Sequence, residues 1–286
     1  MARELSVLAD GFRFTEGPRW HDGALWFSDF GSRLVQSLTE DGRLTRQAFV
    51  LGQPSGIGFA PDGRVLVSST LDRRVVGFRL GERPDVVADT WSVYGGALND
   101  MVVDARGRAY VSPFNAGVNH SPDTVGRPVS GTPVLFVADG EVSIAADDLG
   151  TPNGIVITDD GRTLVVAETT AKQLSAFDVA PDGTLSGRRV FADLDGRSPD
   201  GLCLDASGAV WVGCPFAEEF VRVEEGGRIL ESVPTPGRWA VAPALGGADG
   251  RTLYCCTATT TLEEYFEGRS RAAIETTVVD VPAAGR

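Results

Sequence analysis

The chain has 286 residues, 42% of them hydrophobic and 23% charged, with 35 glycines and a formal net charge of −13. That composition is ordinary for a globular protein able to bury a large core. The acidic balance, without any Lys/Arg cluster, argues against nucleic acid or an anionic membrane as partner, because both demand a basic footprint.

The opening segment, MARELSVLADGFRF, has no apolar signal-peptide core, and no run reaches the length of a membrane span, so a cytoplasmic location is the default expectation. Beyond it six hairpins recur. HDGALWFS turns at Gly23, PDGRVLVS at Gly63, ARGRAYVS at Gly107, DDGRTLVVA at Gly161, ASGAVWVG at Gly208 and ADGRTLYCC at Gly250. A glycine turn followed by β-branched and aromatic residues reads as strand, turn, strand. The intervals between these glycines are 40, 44, 54, 47 and 42 residues.

Further strand-like pieces fill the intervals, among them RLVQSLTEDGRLTRQAFV, RRVVGFRL with PDVVAD, and QLSAFDVAPDGTLSGRRVFAD. Four short strands per unit at a period of roughly 40–50 residues is the β-propeller signature. The expected fold is therefore all-β: a single six-bladed β-propeller domain over residues 1–286, with about four antiparallel strands per blade. A pair of β-sandwiches is the alternative, and the even spacing argues against it.

Aligning the units on the turn glycine exposes a second register. Eight residues ahead of it stand Ser55, Asn99, Asn153 and Asp200, and in the first unit, one residue shorter, the place falls on Glu16. The sixth unit, WAVAPALGGADGRTLY, carries an apolar or neutral residue there. The innermost strand of each blade lines a propeller's channel, so Glu16, Asn99, Asn153 and Asp200 should converge on one mouth. Two carboxylates and two amides make an oxygen shell suited to Ca2+ or Mg2+, with Mn2+, Fe2+ or Zn2+ also admissible. Taken singly, an Asn or Asp before Gly also caps a turn. Four in register on different blades favour a metal site.

These residues, with EGPRW…LWFSD, ND at 99–100, TPNGIVITDDGRTLVVAET, SPDGLCLDASGAVWVG and APALGGADGRTLYCCTA, resemble the senescence marker protein/gluconolactonase/luciferin-regenerating-enzyme family of six-bladed propellers over nearly the whole chain. The resemblance implies that Glu16, Asn153 and Asp200 hold one divalent metal, with Asn99 near metal and substrate. It also implies lactone hydrolysis, especially of sugar lactones, with Asp200 as general base. One position departs: an arginine often stands two residues before the blade-3 asparagine, and here that place is Ala97. A polyhydroxylated substrate loses a multi-donor anchor there, so a less polar lactone stands beside a sugar lactone as the expected substrate, although Arg13 or Arg238 could substitute.

In such a site the metal, with Ca2+ favoured by the oxygen shell, would polarise the lactone carbonyl. Asp200 would take the attacking water's proton and return it to the leaving alkoxide. Histidine-based sets are poor rivals, since His21 lies in the turn WHDG, His120 in an irregular segment, and no GxSxG occurs. The connection after the third hairpin, Ser112 to Pro133, is long, whereas the other five are read as short; loops of its length are commonly functional. Phe114, Asn115 and His120 are its candidate substrate contacts, and Tyr94, Phe30 and Phe216 are candidate apolar walls. The four cysteines include no CxxC and are expected as buried, reduced thiols. Two other readings remain open: a propeller with the same metal site running another reaction in specialised metabolism, and a non-catalytic binding platform.

Overall fold

The structure, a computed structural model, describes residues 3–114 and 131–284. The turn at Asp160-Gly161 shows how each hairpin is made. Gly161 adopts φ 69°, in the left-handed region that side chains avoid. Its N–H donates to the Thr158 carbonyl at 2.8 Å, and Asp160 accepts from the Arg162 N–H at 3.0 Å. The other five repeat glycines also have positive φ.

The strands run from β1 (Ser6–Phe12) to β24 (Arg271–Val278) and form six antiparallel sheets of four. The chain is a six-bladed β-propeller. The first strands of the blades are β2 (Thr15–His21), β6 (Pro54–Phe59), β10 (Leu98–Val103), β14 (Pro152–Ile157), β18 (Leu202–Leu204) and β22 (Trp239–Gly246). Closure is one feature the repeat pattern did not reveal. The last blade takes its outer strand from the N-terminus, where β1 pairs with β24 from Ser6↔Thr276 to Phe12↔Ala272. The ring is thereby fastened by a ladder joining the two ends of the chain.

The core is divided in the same way. Six apolar clusters each straddle one junction between neighbouring blades, such as Leu174 and Phe191 against Val210 and Val221 between blades 4 and 5. Strands within a blade are buried on both faces, as in Val210–Cys214, so they read as continuous apolar runs. Outer strands such as Leu44–Phe49 are largely exposed. Cys255 and Cys256 project into different junctions, 5/6 and 6/1, as alternation along a strand requires. All four cysteines are free, and burial pushes their thiols up, Cys214 and Cys256 to about 12. Among the described residues no helix is long and apolar enough to cross a membrane.

Candidate functional site

The inner strands of blades 1–4 do not begin as regular ladders. Two residues oppose one between Glu16 and Arg19, Pro54 and Ile57, Leu98 and Met101, and Pro152 and Ile155. These are β-bulges, which bend a strand and re-aim its side chains. Ser55, Asn99 and Asn153 sit inside their bulges, and Glu16 sits at the edge of the first. Asp200 lies just ahead of β18, tied by its N–H to the Gly213 carbonyl at 2.8 Å.

The glycine that follows each ring residue serves the next blade. A Cβ on Gly154 would lie 2.4 Å from the Asp200 carbonyl oxygen, and one on Gly17 2.4 Å from that of Ser55. The Gly154 N–H donates to the Asp200 carbonyl at 3.0 Å. Asn153-Gly154 thus supplies a ring side chain and the close contact that positions the neighbouring ring residue. Serines reinforce this coupling: Ser28 Oγ donates to the Ser55 carbonyl and Ser112 Oγ to the Asn153 carbonyl, both at 2.7 Å. Blade 3 has Asp100 in place of the glycine. Its carboxylate accepts from Arg19 Nη2 of blade 1 at 2.9 Å, forming a buried ion pair across the channel. Sequence reasoning did not use this pair, although ND where the other units have Gly in second place was its signal.

The ring side chains form one arc. Ser55 Oγ donates to Asn99 Oδ1 at 3.1 Å, and Asn99 Nδ2 donates to Asn153 Oδ1 at 2.8 Å. Ser55 also meets the Glu16 carboxyl and Asn153 meets that of Asp200. Among the described residues no cationic side chain acts on either acid. Burial, with the charges of Asp200 and Asp100 adding to it, pushes Glu16 up to about 8. Burial and the charge of Asp100 push Asp200 up to about 7. Among the described residues no group of three or more His, Cys, Asp or Glu is gathered. The candidate donor set is instead two carboxylates with two amides. Such oxygen donors fit a hard divalent cation, whose charge would offset the cost of ionising both acids. An amide oxygen has two lone pairs, so Asn153 Oδ1 can accept from Asn99 and still face a cation.

Above the arc opens a cavity of about 540 Å3, whose floor includes Glu16, Asn99, Asn153 and Asp200. Phe114, Phe30, Phe216 and Arg13 line it as well. Tyr94 does not; it packs against the core cluster between blades 2 and 3, where the chain turns back toward Gly96. Arg238 is also absent from the lining and pairs with the buried Glu275 at 3.3 Å. Asn115 and His120 lie outside the described residues.

The connection in blade 6 is the main correction to the reading of short loops. Between Thr252–Thr259 and β24 the chain forms a one-turn helix, α1 (Leu262–Phe266), at the cavity. Thr261 caps it by accepting from the Glu264 N–H at 3.2 Å, while Glu264 accepts from the Thr261 N–H at 3.0 Å. The TLEE signal of this capping box stands in the sequence. The helix brings Tyr265 and Phe266 to the cavity. Burial, and then the charges of Glu16 and Asp200, hold the Tyr265 phenol well above its usual range, so it stays protonated.

Comparison with known proteins agrees with this architecture. The chain is 30% identical over 183 residues to the 6-deoxy-6-sulfogluconolactonase of Pseudomonas putida, a match spanning 63% of this chain and 58% of that relative. It is 26% identical over 267 residues to pentonolactonase XacC of Haloferax volcanii, covering 88% and 84%. The solved structure of a luciferin-regenerating enzyme superposes with a TM-score of 0.82 at 16% identity, covering 99% and 98%, a likeness of fold. Residues 14–259 match the family described as "SMP-30/Gluconolactonase/LRE-like region", and the chain belongs to that family.

Proposed function

We propose that the protein is a metal-dependent lactonase, with Glu16, Asn153 and Asp200 holding one divalent cation, Ca2+ favoured, and a small-molecule lactone as substrate. The observation that carries this reading is a pair of uncompensated carboxylates, Glu16 and Asp200, joined through amides at the floor of the cavity. Two relatives named for lactone hydrolysis support the reaction class. A divalent cation bound there supplies Lewis acidity toward the carbonyl oxygen and brings the formal charge of the two carboxylates to zero.

The chain's own groups do the rest. The lactone lies with its carbonyl toward the arc, and Asn99 holds it in place by hydrogen bonding. Asp200 accepts the proton of the attacking water as the new C–O bond forms. It returns that proton to the ring oxygen as the ester C–O bond breaks, giving a hydroxy acid. The Asp200 carboxylate is a weak base in water, so its fixed place beside the attacking water contributes much of the effect. Held by its N–H to Gly213 and by its carbonyl to Gly154, it stays there without reorganisation.

Acid release from sugar and non-sugar lactones, by chelator-stripped protein with single divalent metals restored, tests the proposal. Metal-dependent turnover that Asp200→Asn abolishes is the expected result. Folded, metal-loaded protein that opens no lactone would overturn it.

A further inference from the structure

The cavity has two unlike sides. Toward blades 5, 6 and 1 its wall is a chain of aromatic rings in contact. Phe14 meets Tyr265 at 4.8 Å between ring centroids, Tyr265 meets Trp239 at 5.9 Å, and Trp239 meets Phe216 at 5.3 Å. Phe216 is 49% exposed although large and apolar, and it stands on the lining. Toward blades 2 to 4 the lining is rich in hydroxyl groups, but several already serve the protein. Thr169 Oγ1 donates to the Pro199 carbonyl at 2.7 Å and Thr170 Oγ1 to Thr151 at 3.3 Å. Among the described lining residues Arg13 is the single cation. Ala97 is 3% exposed, lies outside the lining and offers no donor from its side chain.

Polyol recognition needs several free donors and acceptors converging on hydroxyl groups. An aromatic wall rewards a flat apolar body that can lie edge or face against its rings. We infer that the site selects a lactone fused to a flat apolar ring system over a polyhydroxylated one, with Trp239, Tyr265 and Phe216 as its specificity-determining wall. The inference rests on the lactonase reading for turnover, while binding tests it independently. In the productive pose the carbonyl faces the arc and the apolar body lies along the blade-5 and blade-6 loops.

Two δ-lactones of equal ring size and different body make the test: 3,4-dihydrocoumarin, an aryl ester, and D-glucono-1,5-lactone, an alkyl ester, each referred to the rate constant of its own hydroxide-catalysed hydrolysis. On that scale the metal-restored protein should show at least about tenfold higher kcat/KM for dihydrocoumarin. Trp239→Ala should raise KM for it about tenfold, leave kcat within about threefold, and change kcat/KM for gluconolactone less than about threefold; these factors correspond to losing part of one ring contact. Phe216→Ala, at a half-exposed rim position, repeats the test should Trp239→Ala fail to fold. The second measurement is calorimetric binding of the lactam isostere 3,4-dihydro-2(1H)-quinolinone to wild type and Phe216→Ala. Binding weakened by the substitution, without lactone turnover, would retain the wall and remove the lactonase. A preference for gluconolactone, equal losses on both lactones, or no binding of the lactam would overturn the inference.

Discussion

Glu168, buried, and Glu16, half-buried at the cavity, both stand near the mouth ends of their blades, yet their surroundings are opposite. Glu168, 1% exposed, accepts from the Gly150 N–H at 2.7 Å, from Gln173 at 3.1 Å and from Ser175, and pairs with Arg188 at 3.1 Å. Burial alone would raise it, but these donors and the guanidinium outweigh burial and hold it below the ordinary carboxylate range. Glu16 has a hydroxyl, two other acids within electrostatic reach and, among the described residues, no cationic partner, and it is pushed up to about 8. The contrast separates two uses of a buried charge. A carboxylate with a full set of donors fastens a blade, whereas Glu16, which lines the cavity without such a set, is where we propose that a cation binds.

The largest expected effect separates chemistry from stability. Asp200→Asn should lower kcat by about 10^2- to 10^4-fold, the usual worth of a general base. Its melting temperature should stay close to wild type, read by circular dichroism. A comparable loss of folded protein would instead place Asp200 among the structural carboxylates.

Glu168→Ala should do the reverse. Removing the carboxylate leaves the buried Gly150 N–H and Ser175 hydroxyl without their acceptor, which costs about 1–3 kcal/mol, measured by denaturant unfolding, with cation affinity unchanged. The pH dependence has a definite sign. Because the folded pKa of Glu168 lies below its unfolded value, its stabilisation is full above the unfolded value and is lost as pH falls through the folded one. Glu168→Gln should therefore flatten the acid side of the stability profile.

Cation removal comes next. Restoring Ca2+ to stripped protein at about 100 times Kd should add about 2.7 kcal/mol of stability, read as a rise in melting temperature. Glu16→Gln should diminish that rise and Glu168→Gln should not.

The smallest expected effect tests the coupling between blades. Gly154→Ala sets a methyl 2.4 Å from the Asp200 carbonyl oxygen. It should cost about 1–3 kcal/mol, the range for overpacking, and should lower turnover by more than that instability explains. An active, fully stable Gly154→Ala protein would mean that the glycine does not position Asp200.

The six turn glycines made the propeller legible, because a turn of fixed chemistry recurring at near-even spacing reports one structural unit. The same register drew attention to Glu16, Asn99, Asn153 and Asp200, which line one cavity. Closure by β1 was hidden, since a lone strand carries no mark of a partner at the far end of the chain. The arginine partner of Asp100 was hidden for a related reason: Arg19 and Asp100 lie on inner strands of blades 1 and 3, and only the closed ring brings them together. The TLEE cap announces a helix but not what it covers. Tyr265 reaches the site only because its loop folds back over the blade-6 edge of the cavity.

The most direct test of the central claim is calorimetric titration of Ca2+ into chelator-stripped wild type, Glu16→Gln and Glu168→Gln. The account predicts one binding site in wild type and in folded Glu168→Gln, and at least tenfold weaker binding, or about 1.4 kcal/mol, in Glu16→Gln. Equal affinity in wild type and Glu16→Gln would contradict it.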